Sequence, residues 1–298
     1  MTGPQAALLS DGRRLHLNHG PIDLIVEAWG PEAARRTAYA AATGRFATIL
    51  DELVAELPQL RRPLGPPGLN GPTARRMADA VAPHAATFVT PMAAVAGAVA
   101  EEVLAALVGS DDPAPSRRRG SPFALRSPEP LLQRAYVNNG GDIALWLAPG
   151  QSLTAAIARA DGLGDRLTIR HDDPVRGIAT SGWRGRSHSL GIADAVTVTA
   201  RSAAAADVAA TLVANAVDLP GHPAVERTPA VRLDPDSDLG ERPVTTGVGP
   251  LTEAEADAAL AAGAERAEAM HRAGLIAGAA LCLAGRIRVV GQGAALAA

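Results

Sequence analysis

The stretch that decides the fold runs from Gly177 to Val217 and reads GIATSGWRGRSHSLGIADAVTVTARSAAAADVAATLVANAV. It begins with small and hydroxyl-bearing residues, Ala179 to Gly182, which are typical of a turn whose N–H groups can face an anion. From Asp194 to Ala200, valines alternate with small or polar residues, which predicts a half-buried strand. Ser202 stands where an N-cap is expected, and the alanine-rich run that follows predicts a helix to Val217.

One face of this predicted helix is polar. Asp207 and Thr211 are four residues apart, so both side chains lie on that face of an otherwise apolar helix. A carboxylate and a hydroxyl in this arrangement could share a hard cation such as magnesium, which prefers oxygen ligands. Spacing alone favours the ordinary interpretation, a surface Asp beside a Thr that bonds its own backbone.

The segment between the turn and the strand carries positive charge. Arg184 and Arg186 are candidates for binding phosphate, because guanidinium groups match phosphate oxygens in geometry and charge. His188 is the most suggestive histidine, since serines and arginines flank it, and it is the candidate general acid or base. The ordinary alternative is a histidine in an exposed loop.

A second polar segment interrupts two strand-like runs between Ala135 and Leu147. Asn138, Asn139 and Asp142 offer amide and carboxylate groups, and Gly140-Gly141 allows backbone conformations with positive φ close to a ligand. A hairpin turn is the alternative, and the Asn-Gly pair favours the turn over a ligand site on pattern alone.

Apolar spacing and turn signals predict the remaining elements. Hairpins are expected at 13–28 and 275–290, helices at 31–57, 72–81, 90–108 and 251–273, and a strand at 167–171. The helix start around Gly97 is bare, which suits either the approach of a ligand or tight packing. Two loops are predicted: a mobile surface loop at 110–130 with a solvated arginine run at 117–119, and a charged, Pro-rich loop at 230–250.

Composition indicates a globular protein and disfavours several functions. The 298 residues are 47% hydrophobic, whereas the net charge of −3 and 3% aromatic content disfavour nucleic-acid binding. All 28 basic residues are arginine, so a Schiff-base or Walker lysine is absent from the sequence. Cys282 is the single cysteine, which is typical of a reducing compartment. Without a signal peptide or an apolar run near about 20 residues, we expect a cytoplasmic protein with no membrane partner.

Histidine and serine spacing argues against two further enzyme classes. The 7 histidines show no HExxH spacing, and no serine lies in a GxSxG elbow. A zinc enzyme and a serine hydrolase are therefore disfavoured.

Four segments in order resemble the ApbE-like superfamily, whose characterised members are magnesium-dependent FAD:protein FMN transferases. Val137 to Ile143 is similar to the VNxGGDI segment of that family, Ala179 to Gly182 to its ATSG turn, and Ala206 to Thr211 to its ADALAT helix. Met92 to Glu101 is similar to the helix near the nucleotide site, with Ala96-Gly97 where the family usually has Lys-Gly. The resemblance covers most of the chain.

The resemblance implies a fold, a metal and a set of ligand residues. It implies an α+β fold of two similar, packed subdomains, with mixed or antiparallel sheets covered by helices, as a single domain over residues 1–298. Asp207 and Thr211 would hold magnesium, and a flavin nucleotide (FAD or FMN) or a pterin-like one-carbon carrier would occupy a cleft between the subdomains. The implied cofactor-binding residues are Asn138, Asn139, Gly140, Gly141, Asp142, Thr180, Ser181, Gly182, Arg184 and Arg186.

The sequence departs from the transferases at one place. Their His-Ile-x-Asp-Pro-x-Thr-Gly segment has no counterpart here apart from His188. In lacking this segment, the sequence is similar to an uncharacterised branch of the superfamily. The first hypothesis is therefore a magnesium-dependent enzyme acting on a phosphorylated cofactor, by FMN transfer or in cofactor biosynthesis. The alternative is a non-catalytic protein that binds or carries the cofactor. The sequence leaves the acceptor open, and also whether the protein forms a homo-oligomer.

Overall fold

The computed structural model describes residues 3–66, 68–109, 132–157 and 165–291. The strands are β1 (Gln5–Leu8), β2 (Leu15–His19), β3 (Ile22–Trp29), β4 (Arg134–Asn139), β5 (Asp142–Leu147), β6 (Ser152–Ile157), β7 (Asp165–Arg170), β8 (Gly177–Ser181), β9 (Ala195–Ala200), β10 (Val225–Pro229), β11 (Pro243–Val248), β12 (Gly278–Leu283) and β13 (Arg286–Gly291). The helices are α1 (Glu32–Ala55), α2 (Leu57–Leu60), α3 (Pro72–Val81), α4 (Val95–Val108), α5 (Ala203–Ala216), α6 (Ala230–Leu233) and α7 (Glu253–Arg272). The predicted loop at 110–130, with its arginine run, lies outside the described residues.

A nine-stranded sheet in the order β1-β2-β3-β4-β5-β8-β9-β12-β13 joins two similar halves. All of its neighbouring strands are antiparallel. Each half contributes two strands to this sheet, then helices, then two more sheet strands: β2 to β5 in the first half, and β8, β9, β12 and β13 in the second. In the second half, the separate β10–β11 pair also lies between β9 and β12 in sequence. The halves meet where β5 pairs with β8, through Ile143 with Ile178 and Ala144 with Gly177. The predicted α+β class with two packed, similar halves is confirmed.

The two faces of the sheet are covered by different elements. Helices α1, α4, α5 and α7 pack on one face, where Val137, Ala144 and Val198 belong to the main core. On the opposite face, the β6–β7 hairpin places Leu167 and Ile169 in a smaller apolar cluster with strands β5 and β8. Apolar residues alternate along β4, β5 and β8 with a period of two, so each strand contributes to both clusters.

The starts of α4 and α5 lie unusually close together. A Cβ placed on Gly97 would be 2.3 Å from the Ala203 carbonyl oxygen, and one placed on Gly177 would be 2.2 Å from the Ser202 carbonyl oxygen. Only glycine fits at either position without moving the backbone. The bare start of the predicted helix at 90–108 therefore serves tight packing.

Long-range pairing changes two predicted local structures. The segment at 230–250 was expected to be a loop, but α6 lies within it and β11 pairs with β10 along most of its length. That prediction is wrong because β11 pairs with β10, which precedes the segment. The composition of residues 230–250 alone does not show this partner. A turn was expected at Ala179 to Gly182, but Gly177–Ser181 form strand β8 because β5 and β9 flank it on both sides.

Helix α4 and the turn before it form a long apolar segment. Pro91–Val108 contains 18 residues with a mean hydropathy of 1.7, which by length and composition is enough to cross a membrane. This length differs from the expectation that no apolar run approaches about 20 residues. In the structure 56% of it is buried, and α4 packs on α1, α5, β4 and β5.

Gly97→Ala should lower the free energy of unfolding by roughly 1–3 kcal/mol, the usual effect of overpacking. The matched control is Gly44→Ala in the middle of α1, where an added Cβ meets nothing within 4 Å. That variant should gain about 0.5–1 kcal/mol, because alanine restricts the unfolded chain more than glycine does. Urea unfolding measures both values, and equal stability of the two variants would contradict the close approach of α4 to α5.

Candidate active site

Four elements converge where the two halves of the sheet meet. They are the first turn of α4, the first half of α5, the β4–β5 turn and the end of β8. The turn packs on α4 through Asn139, which is 6% exposed and donates its amide Nδ2–H to the Ala96 carbonyl oxygen at 3.1 Å. The two polar segments singled out in the sequence meet through another bond, in which Asp142 Oδ1 accepts the Thr180 N–H.

The β4–β5 turn is a hairpin turn, and it also lies at the site. Gly140 and Gly141 have φ values of 65° and 117°, which L side chains rarely adopt. The Asn138 side chain fixes this geometry, because its Oδ1 accepts a hydrogen bond from the Gly141 N–H at 2.9 Å. Asn138 is therefore engaged in the turn itself. The hairpin interpretation is confirmed, while ligand binding by this turn stays a prediction.

Asp207 and Glu101 connect α4 and α5 in opposite directions. Asp207 Oδ2, on α5, accepts a hydrogen bond from the Gly97 N–H of α4 at 3.0 Å. Glu101 Oε1, on α4, accepts one from the Ala204 N–H of α5 at 2.7 Å. The first N–H groups of a helix have no partner within the helix, so each carboxylate satisfies a donor at the start of the other helix.

Two carboxylates at the junction are held close enough to affect each other. Burial raises the pKa of Asp142 to about 7, against the opposing effects of a hydrogen bond from the Thr180 N–H and the positive charge of Arg186. Burial raises the pKa of Asp207 well above its usual range, and the negative charges of Asp142 and Glu101 raise it further. Both carboxyl groups therefore hold their protons more tightly than a free Asp, because Arg186 only partly compensates the negative charge that ionisation would bury.

The end of β8 contributes backbone groups more than side chains. Thr180 donates its N–H to Asp142 Oδ1 at 3.2 Å, but its hydroxyl bonds the Thr197 hydroxyl at 2.9 Å. That hydroxyl pair lies on the sheet face opposite the helices, because the adjacent Ala179 is in the helix-side core. Ser181 pairs with Val196 at the strand end. Gly182 is buried, and a Cβ there would be 2.5 Å from the Asp194 carbonyl oxygen.

The two predicted phosphate-binding arginines are in different surroundings. Arg186 lies against the β4–β5 turn, since a Cβ on Gly140 would be 2.4 Å from one of its terminal nitrogens. Arg184 instead forms an ion pair with Asp194, with Nε 2.6 Å from Oδ1, and its guanidinium lies over the Trp183 ring. The structure therefore brings Arg186 to the carboxylate pair and places Arg184 in a structural contact.

His188 and Thr211 have side chains without hydrogen-bond partners among the described residues. His188 is exposed on the β8–β9 loop. Thr211 follows Asp207 by one helical turn and is half-buried. The Thr37 hydroxyl bonds the backbone of its own helix, α1, whereas the Thr211 hydroxyl makes no such bond in α5. The ordinary explanation for the Asp207 and Thr211 spacing therefore does not apply to the threonine.

The donor set is suited to a magnesium ion but not to a metal held by many side chains. Asp142, Asp207 and Thr211 offer carboxylate and hydroxyl oxygens, the ligands that magnesium prefers, and magnesium commonly keeps several waters. Within the described ranges, no cluster of three or more His, Cys, Asp or Glu side chains could hold a metal ion.

Sequence reasoning did not identify Glu101 or Asp194 as important. Glu101 contacts residues about a hundred positions away, so no local pattern reports its role. Asp194 joins the β8–β9 loop to the last hairpin, because its Oδ2 also accepts the Ala284 N–H at 2.7 Å. For Asp194, the available signal was the presence of an acidic residue just after an Arg-rich loop.

Comparisons with known proteins agree on one group of relatives. The family model described as "AbpE bacteria" matches residues 6–115 and 123–289. A UPF0280 protein of Methanopyrus kandleri is 33% identical over 127 residues, which is 43% of this chain and 43% of that protein. A UPF0280 protein of Methanoregula boonei is 33% identical over 196 residues, which is 64% of this chain and 72% of that protein. The matched region thus spans less than half of the Methanopyrus relative.

One solved structure is also matched over most of its length. The apo form of Pseudomonas stutzeri flavinyl transferase ApbE is 13% identical, with a TM-score of 0.40 over 99% of this chain and 97% of that one. Similarity at this level says nothing about activity.

Asp142→Asn should flatten the pH dependence of stability in magnesium-free buffer. The pKa of Asp142 is raised to about 7 in the folded protein, whereas an unfolded Asp has a pKa of about 4. Between these values the unfolded chain binds fewer protons, so the wild type loses stability as pH rises from about 4 to about 7. The asparagine variant lacks this contribution to the slope of unfolding free energy against pH.

The matched control is Asp257→Asn on α7, whose carboxylate has a pKa lowered by the Arg286 hydrogen bond. It titrates below this window and should keep the wild-type slope. Equal slopes for the wild type and Asp142→Asn would show that Asp142 does not carry a raised pKa.

Proposed function

The chain belongs to the family described as AbpE bacteria, and on that premise we propose that it is a magnesium-dependent enzyme acting on a phosphorylated cofactor. The resemblance to the ApbE-like superfamily is confirmed by the family match. A flavin nucleotide or a pterin-like one-carbon carrier is the substrate class, and FMN transfer or a step of cofactor biosynthesis is the reaction class. The observation that carries the proposal is the Asp142 and Asp207 pair beside Arg186, at the junction of the two halves.

The side chains at the junction have separate roles in this proposal. Asp207 and Thr211 would hold the magnesium ion, and Asp142 would add negative charge on the same side. When bound, magnesium would offset the charge of a phosphate or pyrophosphate group. Arg186 would bind a phosphate oxygen next to the Gly140 backbone, which supports a ligand whose charged part faces the β4–β5 turn. Positioning and electrostatics would account for most of the catalytic effect.

A second candidate function is a cofactor-binding or carrier protein without catalysis. The observation that favours it is the exposed position of His188, the candidate acid or base, whose ring has no hydrogen-bond partner among the described residues. A general base normally lies within hydrogen-bonding reach of the proton that it removes. Turnover of a bound cofactor separates the two candidates.

Titration of the purified protein with FAD, FMN and pterins, with and without magnesium, tests the proposal directly. We expect one of these ligands to bind, more tightly with magnesium present. Asp207→Asn should weaken the magnesium-dependent part by about tenfold or more, and Thr211→Val by a smaller factor, because each removes a ligand atom. Asparagine is preferred to alanine because its Oδ1 can still accept the Gly97 N–H.

Asp257→Asn is the control for the loss of one carboxylate far from the junction, since Asp257 pairs with Arg286. It should bind like the wild type. Absence of binding to every ligand would contradict both candidate functions, and wild-type magnesium dependence in Asp207→Asn would contradict the metal assignment.

Arg186→Met and Arg184→Met should differ in ligand binding. A lost hydrogen bond between charged groups is worth about 1.5–3 kcal/mol, so Arg186→Met should weaken binding of the phosphorylated ligand by roughly tenfold to a hundredfold. Arg184→Met removes the ion pair with Asp194 and should leave the dissociation constant within about twofold. Calorimetric titration gives both constants, and an equal loss in the two variants would contradict the assignment of phosphate binding to Arg186.

A further inference from the structure

Glu101 is a mostly buried carboxylate that the proposed chemistry does not use. Its side chain is 15% exposed, and its second oxygen lies 3.5 Å from a terminal nitrogen of Arg76. The same carboxylate accepts the Ala204 N–H at 2.7 Å. A side chain of α4 thus binds a backbone donor in the first turn of α5.

Asp207 is three residues beyond Ala204 on the same helix. Its carboxylate accepts the Gly97 N–H, so its position relative to α4 depends on where the first turn of α5 lies. The contact of Gly97 with the Ala203 carbonyl group leaves no space for α5 to move closer. Packing therefore limits approach, and the hydrogen bond to Glu101 limits separation and rotation of the same turn.

We propose that Glu101 is a positioning residue for Asp207: it holds the first turn of α5 on α4 and thereby fixes where the Asp207 carboxylate faces the cation site. This inference rests on the proposed function, in which Asp207 is a magnesium ligand. It assigns Glu101 no contact with substrate or metal. Groups that orient metal ligands typically change metal affinity 10- to 100-fold when they are altered, roughly as much as some ligands do.

Three variants separate positioning from charge and from general stability. Glu101→Gln keeps the side-chain shape but replaces one acceptor oxygen with a donor, and Glu101→Asp keeps the negative charge but shortens the side chain. Glu102→Gln is the matched control, because Glu102 is also buried and also pairs with Arg76, but its other partner is Arg45 of α1.

Magnesium affinity, measured by calorimetric titration of each full-length variant, is the first readout. We expect Glu101→Asp, whose shorter side chain does not reach Ala204, to bind magnesium about tenfold more weakly than the wild type. Glu101→Gln, whose Oε1 can still accept the Ala204 N–H, should lose less affinity, and Glu102→Gln should stay within about twofold. Wild-type affinity in Glu101→Asp would overturn the proposal, because the charge alone would then suffice. The same loss in Glu102→Gln at equal melting temperature would overturn it as well.

Amide hydrogen exchange in magnesium-free buffer is the second readout and does not depend on metal binding. Glu101→Asp, whose shorter side chain withdraws the carboxylate from Ala204, should speed exchange about tenfold at Ala204, its direct partner, and at Gly97, whose acceptor is Asp207. Glu102→Gln should change neither. Unchanged exchange at Gly97 would overturn the proposal, since Asp207 would then keep its position without Glu101. A wild type that binds no magnesium would contradict the proposed function, and exchange at Gly97 would still decide the role of Glu101.

Discussion

Hydrogen bonds between the starts of α4 and α5 hold the two halves of this protein together at their centre. In the first turn of each helix, the backbone N–H groups have no carbonyl partner within that helix. Asp207 satisfies a donor of α4, and Glu101 satisfies a donor of α5. Within the described residues, the sheet joins the two halves through one short pairing, that of β5 with β8. The helix layer therefore supplies much of the contact between the halves.

The same interaction concentrates negative charge at the candidate site. Glu101 is partly neutralised by Arg76, which also binds Glu102 in a network with Arg45. Asp142 and Asp207 lie on the other side, where the positive charge of Arg186 only partly offsets the effect of burial. A fold that buries carboxylates in order to join two helices thus leaves them short of positive charge, which raises their pKa values. In the proposed function, a bound cation would supply that charge.

Much of the fold could be predicted because its signals are local. The Ser202 N-cap and the bounds of α3 depend on residues within one turn of each other, and the structure has both. Prediction failed where a partner is distant in sequence. Strand β11 depends on β10 across the α6 segment, and the hydroxyl of Thr180 depends on β9.

The site was predictable in its composition but not in its arrangement. Family motifs identified Asn139, Asp142 and Asp207, which the structure places near one another. They did not indicate that Arg184 would be held by Asp194 while Arg186 reaches the turn, because both arginines belong to one short loop with the same local pattern. The choice between them depends on the tertiary position of Asp194.

The contact between α4 and α5 resembles an isologous interface, in which the same kind of contact is made in both directions. Here each helix supplies a carboxylate that accepts an N–H of the other helix. Such interfaces usually join two identical subunits about a twofold axis, whereas here both partners belong to one polypeptide. Covalent linkage frees the two partners to diverge, so that in the proposed function one carboxylate only connects the helices while its counterpart also binds a cation. Self-complementarity within a single chain thus permits asymmetry of function, which two identical subunits could not have.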